Sequence, residues 1–337
     1  MKTASTLTYA SGVCEMISNG DFEKKQLVFV FARDGEKLSF SNDNLIVKDK
    51  NGVIKHQSTC WRIFSLFVVG NITISSGLIQ RAKKFCFSIV LMNSNLRVYQ
   101  VLGFQAEGNT LLRQRQYSCS DEEKLEIAIA ILQNKVANQR KTLLKQRARP
   151  ESVNAAICSL ERIKDEMPAD PSIYELMGHE GLAAKLYFSS IFNNCEWNGR
   201  KPRSKQDYVN TTLDIGYTVL FNFIEALTLL YGFDLYVGFA HQMFYMRKSL
   251  VCDLVEPFRP IIDHQIRKAI SLQQCKQEDF ELTNNAWYLK REKNKDYVVF
   301  LVEPLVKEKN EIFKYIQGFY RYLSRGKSID NFPEYEL

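Results

Sequence analysis

Ser120-Asp-Glu-Glu123 is the point at which the chain stops reading as strands and starts reading as helices. Ser120 carries the hydroxyl of an N-cap, and Glu123 has the reach to return to the Ser120 amide, so the four residues spell a capping box. The pattern predicts a helix from there to about residue 147. It stops near Pro150, because the residue before a proline disfavours α geometry. The second half of that helix is basic, with Lys135, Arg140, Lys141, Lys145, Arg147 and Arg149. Such a run reads as a solvated face with cations near a helix C-terminus, ahead of phosphate contact.

Upstream the signals are those of strands. Gln26-Leu-Val-Phe-Val-Phe-Ala32 is a short apolar run, Asp34-Gly35 a turn signal, and Lys37-Leu-Ser-Phe-Ser41 alternates. Leu45-Ile-Val47, the turn signal Asn51-Gly52, Val53-Ile54, and Leu66-Phe-Val-Val69 before Gly70-Asn71 continue the series. Phe87-Ser-Ile-Val-Leu-Met92 and Arg97-Val-Tyr-Gln-Val101 end it. One helix is expected over 76–85, where Leu78, Ile79 and Ala82 share a face. Downstream the apolar spacing predicts helices near 152–165, 172–192, 205–231, 248–272 and 308–325. A strand pair is expected at 286–289 and 297–301. The fold class is therefore α+β, a small β-rich N-terminal domain followed by a mostly α-helical domain. The expected divisions are 1–117, a connecting helix at 118–150, and 151–337.

Composition narrows the function classes. The 337 residues are 45% apolar and 25% charged, as in ordinary globular proteins, and the net charge of +7 is compatible with a nucleic-acid partner. The eight cysteines, at 14, 60, 86, 119, 158, 195, 252 and 275, contain no C-x-x-C pair. That argues against a disulfide scaffold and against structural zinc, and leaves reduced, mostly buried thiols in a cytoplasmic protein. The start, MKTASTLTYASGVCEMISNG, lacks the pattern of a secretory signal. The apolar stretch from Tyr217 to Ala240 is interrupted by Asn222, Glu225 and Asp234, and reads as a helix of an internal core.

Three places in the helical part carry candidate chemistry. Glu180 lies in Gly178-His-Glu-Gly-Leu-Ala-Ala-Lys-Leu-Tyr-Phe188. There Met177, Ala184 and Tyr187, with Leu176 and Ala183, mark a packed face, and Gly181 leaves room for a backbone or a ligand. His241 closes Gly238-Phe-Ala-His241. Asp253 and Glu256 share a helical face in Leu250-Val-Cys-Asp-Leu-Val-Glu-Pro-Phe-Arg-Pro260, with Arg259 placed to neutralise Glu256 and two prolines marking a bend. Taken singly these are a surface glutamate, a core histidine and an i,i+3 ion pair. Taken together, one imidazole and two carboxylates suit Mg²⁺ or Mn²⁺ better than structural Zn²⁺.

The segments Glu180-Gly-Leu-Ala-Ala-Lys-Leu-Tyr-Phe188, Asp207-x-x-Asn210 with Gly216-Tyr217, Gly238-Phe-x-His241, and Ser249-Leu-Val-Cys-Asp-Leu-Val-Glu-Pro-Phe-Arg-Pro260 resemble, in order and spacing, the signatures of the CRISPR-associated adaptation integrase family. Ile72-Thr-Ile-Ser-Ser76 and Leu112-Arg-Gln-Arg-Gln-Tyr117 are similar too, so the resemblance covers nearly the whole chain. It implies a metal-dependent DNA endonuclease and integrase, with Glu180, His241 and Glu256 as metal ligands and catalytic residues. Asp253 becomes a supporting carboxylate that could itself ligate the metal. Tyr217 would position phosphate or nucleophile, and Asn210 with Asp207 would organise the neighbouring helix. The resemblance also implies a mobile basic segment, Arg200, Lys201, Arg203 and Lys205, and makes Lys201, Arg203, Arg247, Lys248 and Arg259 DNA contacts. The cofactor would be Mg²⁺ or Mn²⁺. The partners would be prespacer and repeat DNA, a second copy of the chain, and a Cas two dimer bridging two such homodimers. A nuclease of the same fold serving DNA repair or a mobile element, and a non-catalytic DNA-binding scaffold, stay open beside it.

Overall fold

The computed structural model describes residues 17–32, 35–167, 172–195 and 197–337. Asp34 of the first turn signal, Cys14 and the first sixteen residues lie outside them. In chain order the N-terminal part holds helix α1 (Asn19–Glu23) and strands β1 (Gln26–Phe31), β2 (Lys37–Ser41), β3 (Asn44–Lys48), β4 (Ile54–Thr59), β5 (Ile63–Val69) and β6 (Thr73–Ile74). Helix α2 (Ser76–Lys84) and strands β7 (Ser88–Met92) and β8 (Val98–Gly103) follow. One sheet has the order β1-β5-β7-β8, parallel except for β8. The other has the order β4-β3-β2-β6, antiparallel except for β6. Every residue of β5 is buried, as expected of a central strand covered on both faces. Ile63, Leu66 and Val68 pack with Leu38, Leu45 and Leu78 in a core internal to the β part.

Helices then take over. They are α3 (Thr110–Tyr117), α4 (Asp121–Leu144), α5 (Glu151–Asp165), α6 (Ile173–Ile191), α7 (Tyr208–Tyr231), α8 (Ser249–Val255) and α9 (Arg259–Ser271), with a 3-10 turn at Glu256–Phe258. A hairpin of β9 (Phe280–Thr283) and β10 (Ala286–Leu289) precedes the 32-residue helix α10 (Asn294–Arg325). The capping box at the start of α4 is formed. The Glu123 amide donates to Ser120 Oγ at 3.2 Å, and the Ser120 amide donates to Glu123 Oε2 at 3.1 Å. The core runs on from these helices to the second face of the sheet. Phe22 stacks on Phe313 at 4.2 Å, and Phe64 meets Phe223 edge-on at 5.8 Å. Helix α7 is long and apolar enough to cross a membrane by length and composition, but most of it is buried inside this core.

One expectation is corrected. Residues 297–301 are helix, not strand. Tyr297, Val298, Leu301 and Leu305 are buried while Val299 is exposed, which is helical spacing, and β10 pairs with β9 instead. The β-branched and aromatic composition of that run suggested a strand, and packing inside the helical core overrode it. Helix α3, over a stretch for which no element was expected, is capped by Asn109. Among the seven described cysteines no disulfide is formed, and Cys60, Cys86, Cys119 and Cys275 are buried.

Candidate metal and nucleic-acid site

The site begins with a carboxylate held where backbone amides converge. Asp253, on α8, is fully buried. Its Oδ2 accepts from the amides of Phe239 (2.5 Å) and Ala240 (3.1 Å), and its Oδ1 accepts from the His241 amide at 2.9 Å. Oδ1 also lies 2.6 Å from His241 Nδ1. This pins the ring and leaves Nε2 as its free nitrogen, the arrangement in which a carboxylate orients a metal-binding imidazole. Gly238 makes the approach possible: a Cβ there would lie 2.7 Å from Asp253 Oδ2 and 2.9 Å from Ser249. Asp253 therefore spends its lone pairs on the 239–241 backbone and on the His241 ring.

Glu180 on α6 and Glu256 in the 3-10 turn meet across a lysine. Lys135 Nζ lies 2.5 Å from Glu180 Oε1 and 2.7 Å from Glu256 Oε2. The contact with Glu256 Oε2 lacks hydrogen-bond geometry, and among the described residues no other donor reaches that oxygen. Arg259 Nε donates to Glu256 Oε1 at 3.0 Å, the i,i+3 neutralisation expected from the spacing. Glu256 is buried. Burial alone would raise its pKa, but Arg259, Lys135 and His241 outweigh it and hold the carboxyl at about 2. The same balance acts on Lys135, where burial pulls down and the carboxylates of Glu256 and Glu180 push the pKa up further. Lys135 is thus no part of a solvated basic face, the reading its position in α4 suggested.

Behind Glu256 lies a second buried group. The Tyr217 hydroxyl donates to Asp263 Oδ1 at 2.5 Å and the Tyr187 hydroxyl to Oδ2 at 3.0 Å. Burial lifts both phenols well above 10, so they stay neutral donors. The guanidinium groups of Arg259 and Arg200 lie over the Tyr217 ring, 4.6 and 5.3 Å from its centroid. Tyr217 therefore seats the arginine that binds Glu256, and its hydroxyl points to Asp263.

Burial raises Asp263 to about 6, against the pull of both tyrosines, Arg259 and Arg200. A folded value above the unfolded one means the fold holds this proton more tightly than the open chain. The stabilisation is complete below pH 4 and lost as pH rises through 6, a change of about 3 kcal/mol. Wild type measured against Asp263→Asn by urea unfolding is expected to lose that margin between pH 4 and 7. A flat difference would mean that Asp263 is ionised throughout.

The basic residues divide. Asn210 takes Arg200 Nη1 (3.0 Å) and the Lys201 amide (2.8 Å) on its Oδ1, and its own amide is capped by Asp207. Arg200 also pairs with Asp214 at 2.6 Å, and the Arg203 amide binds Asp214 Oδ2. The segment expected to be mobile is thus tied to α7, with the side chains of Lys201 and Arg203 exposed. Lys248 pairs with buried Glu225 at 2.5 Å, and Arg259 is committed to Glu256, so neither presents an unpaired charge. Arg247 is half-buried at the end of Met243-Phe-Tyr-Met246, four apolar residues left exposed just past His241 and Gln242 and not singled out by the sequence reading. On α6 the packed face is Leu176, Ala183 and Tyr187. Met177 is exposed, and among the described residues no backbone packs against Gly181, which faces open space.

The donor chemistry fits a hard divalent ion: two carboxylates already sharing a cation, one with an oxygen that only the Lys135 ammonium approaches among the described residues, and a fixed imidazole nitrogen. Among the described residues no three such groups close on one point as they stand.

The comparisons with known proteins cover most of the chain. A family model described as CRISPR associated protein Cas1 matches residues 29–301. A CRISPR-associated endonuclease Cas1 from Thermodesulfovibrio yellowstonii is 30% identical over 275 residues, 78% of this chain and 86% of the relative. Among solved structures, a chain of a Cas6-RT-Cas1–Cas2 complex matches with TM-score 0.77 at 21% identity over 93% of this chain, which spans only 36% of that longer one. A casposase bound to integration product matches with TM-score 0.73 at 22% identity, over 92% of this chain and 94% of that one. These two likenesses speak to the fold, whereas the family model and the sequence relative speak to descent: the chain belongs to the CRISPR-associated Cas1 family.

Proposed function

We propose that this chain is a metal-dependent DNA endonuclease and integrase that inserts short prespacer DNA into a CRISPR repeat array. A prespacer 3′-hydroxyl attacks a phosphodiester at the repeat boundary, forming one P–O bond as the bridging P–O bond of the repeat strand breaks. The observation that carries the reading is the convergence of Glu180 and Glu256 on one buried cation position, beside a His241 whose Nδ1 is already taken. Glu180, His241 Nε2 and Glu256 would hold Mg²⁺ or Mn²⁺. A bound ion would lower the pKa of the attacking hydroxyl and offset charge on the phosphate.

The chain's own residues do the rest. Asp253 fixes the imidazole, and Arg259, seated on Tyr217, keeps Glu256 ionised and oriented. Asn210 holds the 199–201 segment so that Lys201 and Arg203 project where a DNA backbone could run, with Arg247 on the His241 side. Contacts of this kind position DNA without reading its sequence. The β-rich part, 1–117, serves dimerisation in this proposal, and 151–337 catalysis. The helix between contributes Lys135 to the site as well as connection. The assembly would be a homodimer, two of which flank a Cas2 dimer, working in the cytoplasm. The named Cas2 complex among the fold relatives supports that partner.

The test is strand transfer by the purified chain, using duplex DNA with 3′-hydroxyl ends, supercoiled plasmid with or without a repeat, and Mn²⁺, Mg²⁺ or EDTA, with and without Cas2. Metal-dependent joining at the repeat is expected. The likeness to a casposase supports a second reading, integration on behalf of a mobile element. Equal joining to plasmids with and without the repeat would favour it. Bound DNA with no joining under any condition would leave a scaffold.

A further inference from the structure

Lys135 stands at the centre of the carboxylate pair. It comes from α4, an element separate from those bearing Glu180 and Glu256, and both it and Glu256 are buried. A carboxylate buried to this degree needs a counter-charge. Arg259 supplies one to Oε1, and Lys135 serves Oε2 while shared with Glu180.

The two cations differ in freedom. Arg259 is a planar fork seated on the Tyr217 ring. Lys135 is a compact charge on a flexible stem. The backbone beneath it is fixed: Asn138 Nδ2 donates to the Pro257 carbonyl (3.2 Å) and to that of Tyr335 (2.9 Å), and Asn134 exchanges hydrogen bonds with Tyr335. The ammonium can leave its place only by rotation of its own side chain. A divalent ion binding the same two oxygens cannot share them with an ammonium 2.5–2.7 Å away.

We propose that Lys135 is a resident counter-cation, which holds the Glu180–Glu256 pair in place before metal arrives and is displaced when a divalent ion binds. The inference rests on the reading of Glu180, His241 and Glu256 as metal ligands. It accounts for the absence, among the described residues, of a closed three-ligand cluster: the ammonium occupies the point on which the carboxylates would close. Metal binding then carries the cost of moving a paired charge, so the site is ordered when empty and only moderately avid.

The experiment is Mn²⁺ binding to the full chain without DNA, read by electron paramagnetic resonance of free Mn²⁺, for wild type, Lys135→Met and Lys135→Arg. Lys135→Met is expected to bind about tenfold more tightly, the effect of removing a competing ion pair. Lys135→Arg is expected to bind no more tightly than wild type. Affinity in Lys135→Met equal to or below wild type overturns the inference while leaving the ligand assignment intact. No Mn²⁺ uptake by wild type or variants overturns both. Should Lys135→Met fail to fold, wild type decides by amine labelling and mass spectrometry. Lys135 is expected to be protected in EDTA and labelled several-fold faster with Mn²⁺, and unchanged labelling overturns the proposal.

Discussion

Glu180→Ala is expected to lower strand transfer by about a thousandfold while leaving the fold near wild-type stability. The two halves of that expectation come from different observations. Activity falls because the proposed site loses one of its two carboxylate ligands, and an alanine offers no oxygen in its place. Stability holds because Glu180 is the less buried member of the pair, its side chain 29% accessible, and its ion-pair partner Lys135 does not lose its counter-charge. Lys135 keeps Glu256 at 2.7 Å. The measurement is product yield per enzyme in the repeat-plasmid assay, with thermal melting of the same preparation. Transfer within tenfold of wild type would remove Glu180 from the ligand set. A large drop in melting temperature would mean that the glutamate is structural and that lost activity says nothing about metal.

How much of this was legible in the sequence depends on how far apart the interacting residues are. The capping box at Ser120 and Glu123 and the Glu256–Arg259 pair lie within one helical turn, so spacing alone predicted them. The strand order of the sheets was not written in any window. Neither was the fate of residues 297–301, since a β-branched run fits a buried helix face as well as a strand. Lys135 was the largest miss. In sequence it is one of six cations between residues 135 and 149, and nothing local separates it from Arg140 or Lys141, which pair with Glu161 and Glu336 at the surface. Its partner Glu180 lies 45 residues away, and only folding brings them together. The Asp253–His241 contact spans 12 residues of sequence and had a legible cause in part, the glycine at 238, whose purpose became clear only with the carboxylate beside it. Tyr217 was placed near the site by resemblance, but the direction of its hydroxyl, toward Asp263, depends on two further helices.

Glu256→Ala is expected to differ from Glu180→Ala in kind, losing about 3–5 kcal/mol of stability along with activity. Two lines of argument give that size. Removing the buried partner leaves the Arg259 guanidinium without its carboxylate and Lys135 with Glu180 alone. Independently, a carboxyl held at about 2 in the fold, against 4.5 ordinarily, contributes about 3 kcal/mol that is present above pH 4.5 and lost as pH falls through 2. The check is urea unfolding at neutral pH without metal, in wild type, Glu180→Ala, Glu256→Ala and the double variant Glu256→Ala with Lys135→Met. If stranded positive charge is the cause, the double variant regains part of the loss, because the ammonium that Glu256 had balanced is gone. A double variant weaker than Glu256→Ala would instead place the loss in packing around the Glu256–Phe258 turn. Lys135 would then act as a strut between Glu180 and α4 and not as the counter-charge of the pair.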